Sequence, residues 1–282
     1  MMRALQFTLG MVILASLALP PSAHGQGAES LRNGCDQNQL PGCTDLGRYY
    51  DVNEGTSPAA SVTFLTRNTD SLRAECDGNV VAACISLGKH YERGEGVVMN
   101  GMTAGSLYLK ACSLGSGTGC GLRGELYRRG ASVRADLSLA AASFRQGCGQ
   151  NNGGACLSLG EMQLSGEGMQ PDIRTAVNSF SRGCELGWSS SCLQAGQIYN
   201  QANAVGYNYP AAASAYRRSC DLLNGLGCLA LGRMYELGNG SIMVNIQQAS
   251  VLYRKSCDLG DRTGCEEAVR LHEANPGAMI VR

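Results

Sequence analysis

Apolar and small residues in this chain recur at helical spacing, nested within a longer period of 36 or 37 residues. An alanine is followed four positions later by an aromatic in Ala104–Tyr108, Ala140–Phe144, Ala176–Phe180, Ala212–Tyr216 and Ala249–Tyr253. Residues four apart share one helix face, so each pair offers a small and a large side chain to a neighbouring helix. A second pattern recurs as Leu46-Gly47, Leu87-Gly88, Leu159-Gly160 and Leu231-Gly232, with the glycine alone kept at Gly124 and Gly196. Three residues after that glycine come Tyr50, Tyr91, Tyr127, Tyr199 and Tyr235, with Gln163 as the exception. Between the two patterns lie loop signals such as Gly94-Glu95-Gly96, Gly166-Glu167-Gly168 and Gly238-Asn239-Gly240. Glycine there suits a left-handed helix end, and Asp136 and Asp172 suit the start of the helix that follows. The period therefore predicts two helices per repeat, about Gly119–Arg129 and about Asp136–Gly147 in one of them. Strictly alternating β-branched runs are absent, so the fold class is all-α: an α/α superhelical solenoid of stacked helical hairpins.

The cysteines keep the same register. All 14 fall into pairs eight apart: Cys35 with Cys43, Cys76 with Cys84, Cys112 with Cys120, Cys148 with Cys156, Cys184 with Cys192, Cys220 with Cys228, and Cys257 with Cys265. Eight residues along one straight helix would separate the Cα atoms by about 12 Å. A disulfide needs roughly 4.4–6.8 Å, so the chain must turn back between the two cysteines. Seven disulfides are expected, each stapling the end of one helix to the start of the next for about 2.5 kcal/mol in the chain-entropy model. With no Cys-x-x-Cys and only His90 and His272 beyond the first 25 residues, no metal site and no cofactor are expected.

Residues 1–25 read as a secretory signal peptide: Arg3, an apolar stretch from Phe7 to Leu19, then Ala23-His24-Gly25 before a cut ahead of Gln26. The stretch is shorter than the ~20 residues a bilayer span requires. Residues 26–282 are then the seven-unit solenoid, expected to be exported, soluble without membrane insertion, and monomeric in the periplasm or outside the cell. Export permits disulfides. Basic and acidic residues balance at 23 each, and aromatics make up 6%, which gives neither the field nor the stacking surface of a nucleic-acid binder.

Segments such as Tyr108-Leu109-Lys110-Ala111-Cys112 through Gly119-Cys120 and Gly124-Glu125-Leu126-Tyr127 resemble the Sel-one-like repeat, a relative of the tetratricopeptide repeat. The Cys-x7-Cys pairs resemble its disulfide-rich branch, the Helicobacter cysteine-rich or Hcp-like β-lactamase family, over about Cys35 to Cys265. The first unit departs through its longer Asp51–Ala60 connection and the last through Ala268-Val269 in place of Leu-Gly. The resemblance implies a scaffold for proteins, peptides or peptidoglycan-type fragments, or alternatively penicillin binding and slow β-lactam hydrolysis. A mitochondrial cytochrome oxidase assembly factor of this repeat family is also similar.

Ser86-Leu87-Gly88-Lys89 matches the Ser-x-x-Lys of serine β-lactamases, which makes Ser86 a candidate nucleophile and Lys89 its base. The matching Ser158-Leu159-Gly160-Glu161 shows that this serine also belongs to the repeat, and neither Ser-Asp-Asn nor Lys-Thr-Gly occurs. For binding, the residue after the repeated glycine is the candidate: Arg48, Lys89, Glu125, Glu161, Gln197, Arg233 and Arg270. This series reads either as a groove with basic ends and an acidic centre or as a solvated stripe of local pairs such as Lys89–Glu92 and Arg233–Glu236. Trp188, the single tryptophan, replaces mostly polar residues at a turn and is either a partner anchor or a cover over the Cys184–Cys192 bridge.

Overall fold

The computed structural model describes residues 58–201, 206–239 and 241–275. The chain falls into two compact units, Met1–Asn68 and Thr69–Arg282. The leader, Arg48 and the first cysteine pair, Cys35 and Cys43, all lie outside the described residues. The first helix, α1, is Pro58–Asp77. The helices of the second unit are α2 (Val81–Arg93), α3 (Gly101–Ser113), α4 (Gly117–Arg129), α5 (Leu137–Gly149), α6 (Gly153–Ser165) and α7 (Ile173–Glu185). They continue with α8 (Ser189–Tyr199), α9 (Tyr209–Asp221), α10 (Gly225–Leu237), α11 (Ile246–Asp258) and α12 (Arg262–Ala274). The described residues contain no strand, and none of their helices is long and apolar enough to cross a membrane. An even-numbered helix opens each repeat and the next odd-numbered helix completes its hairpin.

The ends of these helices follow from local chemistry. Gly94, Gly130, Gly166 and Gly238 end α2, α4, α6 and α10 in the left-handed conformation, at φ between 67° and 77°. Asp136 and Asp172 start α5 and α7, Asp136 accepting from the backbone N–H of Leu139 and Asp172 from those of Arg174 and Thr175. The loop inside each hairpin is closed by a recurring clamp. The N–H that precedes the second helix donates to the carbonyl at the repeated Tyr position, as in Asn100 to Tyr91, Asp136 to Tyr127 and Asn245 to Tyr235.

Packing explains the recurring glycine. A Cβ on Gly88, Gly124, Gly160, Gly196 or Gly232 would come within 2.5–2.7 Å of a ring carbon of Tyr108, Phe144, Phe180, Tyr216 or Tyr253 respectively. The glycine is thus a slot that lets the aromatic of the second helix lie against the backbone of the first. These five rings, with Ala104, Ala140, Ala176, Ala212 and Ala249, are the buried core of the hairpins. Phenolic rings need polar company when buried. The Tyr108 hydroxyl donates to Glu92 Oε2 at 2.7 Å, the Tyr253 hydroxyl to Glu236 Oε2 at 2.6 Å, and Tyr216 meets the side-chain amide of Asn200. Where the ring is Phe144 or Phe180, the equivalent position holds Arg128 or Leu164, and no hydroxyl has to be matched. Gln163 is compensated in the same way: in place of a tyrosine it accepts from the buried Ser179 hydroxyl at 2.7 Å.

Of the seven expected disulfides, six are formed among the described residues. They join Cys76 to Cys84, Cys112 to Cys120, Cys148 to Cys156, Cys184 to Cys192, Cys220 to Cys228, and Cys257 to Cys265, with Cα–Cα separations of 4.5–4.7 Å. The seventh expected pair, Cys35 and Cys43, lies outside the described residues. No described cysteine is free. Each bridge joins the second helix of one repeat to the first helix of the next. Bridging at this distance crowds the residues that precede the two cysteines. In the last five bridged pairs one of the two is always glycine and the other small: Ala111 with Gly119, Gly147 with Ala155, Gly183 with Ser191, Ser219 with Gly227, and Ser256 with Gly264. A Cβ on any of those glycines would lie 2.4–2.8 Å from its small partner.

Candidate functional site: the face of the first helices

The first helices α2, α4, α6, α8, α10 and α12 lie side by side and present the residues that follow the repeated glycine. Their charges are matched largely between repeats, with Arg270–Glu267 and Arg262–Glu266 pairing along α12. Arg129 meets Glu92 at 3.1 Å, and Arg128 reaches Glu161 at 3.2 Å and Glu167 at 2.8 Å. Arg233 meets Glu267 at 3.1 Å, and Arg270 meets Glu236 at 2.6 Å. The local pairs Lys89–Glu92 and Arg233–Glu236 do not form: Glu92 accepts from Tyr108 and Arg129, Glu236 accepts from Tyr253 and Arg270, and Arg233 turns to Glu267. Arg270 between Glu236 and Glu267 has its pKa raised by those hydrogen bonds, and Glu267 is held below the usual carboxylate range, first by Arg270 and then by Arg233. Two arginines and two glutamates thus neutralise each other at this end of the face.

Of the remaining candidates, Gln197 is exposed, and Ser86 and Lys89 are half-buried on α2. Among the described residues no hydrogen bond joins the Ser86 hydroxyl to the Lys89 amine. His90 is buried, with its Nδ1 3.1 Å from the Thr69 hydroxyl and its Nε2 4.0 Å from Glu95, whereas His272 is exposed. Among the described residues no group of three His, Cys, Asp or Glu side chains could hold a metal.

Glu125 and Trp188 come together. A hollow of ≈ 280 Å³ lies between α4 and α6, with Gly121, Leu122 and Glu125 on one wall, Gly154 and Ser158 on the other, and Trp188 at its edge. Trp188 caps α8 without a side-chain hydrogen bond and is 47% exposed. Its ring covers the preceding repeat, with Cζ2 3.4 Å from where a Gly154 Cβ would stand. The Glu125 carboxylate is half-buried and makes no ion pair with a described residue. A larger depression of ≈ 460 Å³ lies on the side of the second helices, lined by Arg217, Tyr235, Val251 and Lys255 among others. Its charged groups already have partners: Arg217 donates to the Tyr235 hydroxyl at 2.9 Å and Lys255 sits 3.5 Å from Asp221. The hollow on the first-helix face is therefore the better candidate. The sequence singles out Glu125 and Trp188 separately, whereas the glycines that open the space between them emerge only when the repeats are superposed.

Stacked helical hairpins joined by inter-repeat disulfides define a helical-repeat protein, and three stretches of it match the Sel1 repeat. The Sel1 repeat model matches residues 81–116, 154–188 and 225–261, each running from the start of a first helix to the residue capping the next one. Two solved structures share the fold. One is c5321, a protective antigen present in uropathogenic Escherichia coli strains and displaying an SLR fold, with TM-score 0.65 and 23% identity over 89% of this chain. The other is a Sel1 repeat protein from Oxalobacter formigenes, with TM-score 0.58 and 20% identity over 90% of each chain. This chain spans 60% of the length of c5321. Cysteine-rich protein B of Helicobacter pylori is 29% identical over 49% of this chain and 98% of its own, with TM-score 0.38. No curated protein matches the sequence.

Proposed function

We propose that the protein is an exported scaffold that binds a protein or peptide partner along the face of its first helices. The observation that carries this reading is the hollow between α4 and α6, where a half-exposed tryptophan and a carboxylate without an ion pair share one recess, on a face where Arg128, Arg129, Arg233 and Arg270 are paired. Exposed aromatics beside a preformed recess are the usual anchors of partner recognition. Six disulfides support a location in an oxidising compartment, and the leader-like segment at residues 1–25 agrees with that reading. β-Lactam hydrolysis lacks comparable support, since Ser86 and Lys89 share a helix without forming a nucleophile–base pair.

Site-specific photo-crosslinking in cells tests the proposal. A photoreactive phenylalanine at Ser158 should trap a discrete partner, whereas the same residue at Val251, on a second helix, should not. Trapping from Val251 alone would move the interface to the other side of the array. No adduct from Ser158 would overturn the reading.

A further inference from the structure

The hollow exists because three residues depart from the repeat at one place. In the register of Gly121 the other first helices carry Ile85, Leu157, Leu193, Leu229 and Glu266. In the register of Gly154 they carry Ala82, Thr118, Ser190, Leu226 and Thr263. In the register of Trp188 they carry Val80, Ser116, Asn152, Asn224 and Asp261. Two side chains are thus missing and one large aromatic is added, and all three changes border the same space. Neither glycine is required by packing: a Cβ on Gly121 would approach nothing closer than 3.7 Å, and one on Gly154 nothing closer than 3.4 Å. This sets them apart from the slot glycines, where a Cβ would clash. Both also sit inside helices, where glycine costs roughly 0.5–1 kcal/mol relative to alanine. The array gives up stability here to keep a space open.

The lining specifies what enters. Leu122, Leu157 and the Trp188 ring supply apolar walls, and Glu125 is the sole ionisable group among the lining residues. At ≈ 280 Å³ the recess lies just under the roughly 300–1,000 Å³ of small-molecule sites and has room for a single long side chain. An aliphatic stem ending in a cation fits this combination: the stem lies on the apolar walls while the charged end reaches the carboxylate or the indole face. We propose that the hollow between α4 and α6 is a specificity pocket for an arginine or lysine side chain of the partner protein, with Glu125 as its counter-charge and Trp188 as its wall. This rests on the first-helix face being the binding face, and it names the chemistry that the face selects.

The single tryptophan makes the pocket directly observable. The indole N–H signal of Trp188 in a ¹H–¹⁵N spectrum of the oxidised full chain is followed while Nα-acetyl-arginine methylamide, the lysine analogue or the uncharged norleucine analogue is added. The two basic amides should move the signal saturably, and norleucine should bind about tenfold more weakly, as loss of one charge-assisted contact of about 1.4 kcal/mol implies. Glu125→Gln should bring arginine down to the norleucine level. Gly121→Leu, which restores the side chain of the neighbouring repeats, should abolish the shift while the circular dichroism and melting temperature are kept. Norleucine binding as well as arginine, an unchanged affinity in Glu125→Gln, or no saturable shift with any amide would each overturn the pocket. The scaffold reading is judged separately by the Ser158 crosslink. A crosslink that persists in Gly121→Leu rejects the pocket and keeps the scaffold. Basic amides that bind where no crosslink forms keep the pocket and reject the scaffold.

Discussion

Glycine has two opposite meanings in this chain, and neighbouring residues of α4 show both. Gly124 faces Phe144, whose ring carbons would stand 2.6 Å from an added Cβ, whereas a Cβ on Gly121 would make only ordinary contacts, 3.7 Å from Asn152 and 3.8 Å from Ala155. Gly124→Ala should therefore cost about 1–3 kcal/mol through overpacking. Gly121→Ala should raise stability by about 0.5–1 kcal/mol through helix propensity. Urea unfolding of the two variants, three residues apart on one helix, checks both signs. Leu223 offers a second residue-scale test. It sits at φ 62° and is 71% exposed, at a turn position where other repeats place Asn79, Gly115, Asn151, Gly187 and Gly260. A left-handed leucine costs about 1–2 kcal/mol, so Leu223→Asn should shift the urea midpoint upward by an increment of about 1 kcal/mol in stability. At this scale much was legible in the sequence. The Ala–aromatic pairs and the tyrosine register are the core, because a 36-residue period repeats each environment and so repeats the residue that fits it. The glycine slot was not legible, since the ring that fills it lies 20 or 21 positions away in the chain.

Among elements, the closest fit is between the second helix of one repeat and the first helix of the next. Their bridge brings the backbones so near that a small side chain on one helix demands glycine on the other. Gly183→Ala should destabilise the α7–α8 junction by about 1–3 kcal/mol, because its Cβ would run into Ser191. Adding Ser191→Gly should recover most of that loss, and a double-mutant cycle measures the coupling. Helix limits were predicted to within two residues, from Gly119 against an observed Gly117 and to Gly147 against Gly149, because caps and left-handed glycines are local signals. The cysteine pairing was equally legible: Cys148 with Cys156 and Cys220 with Cys228 are joined as the eight-residue spacing requires. The charge stripe was open to two readings, a groove with basic ends and an acidic centre or a solvated stripe of local pairs; besides the local Arg270–Glu267 pair, its arginines reach glutamates of other repeats. The ion-pair partners of Arg128, Arg129, Arg233 and Arg270 include glutamates 33 to 39 positions away, and no helical spacing reveals them.

For the whole molecule, burial of tyrosine sets an alkaline limit. Tyr216 is pushed up to about 12 by burial. Burial, followed by the hydrogen bonds to Glu92 and Glu236, also raises Tyr108 and Tyr253 well above the ordinary tyrosine value. A raised native pKa means that the folded chain holds these protons more tightly than the unfolded chain. The stabilisation is complete below about pH 10, the ordinary tyrosine pKa. It then falls as pH rises, by up to about 1.4 kcal/mol per pH unit for each of the three groups. In a spectrophotometric titration at 295 nm these three of the 11 tyrosines should stay protonated when the exposed ones ionise, then appear together as the fold is lost. Two kinds of bond alternate along this array: the apolar core joins the helices of one hairpin, and sulfur joins one hairpin to the next. Any 36-residue window in the regular part of the array holds one cysteine of each type, wherever the window begins. A gene duplication or deletion of one period, started at any codon, therefore leaves every thiol with a partner eight residues away. The array can lengthen or shorten without stranding a cysteine, so the number of repeats is free to drift while the redox chemistry of the chain stays closed.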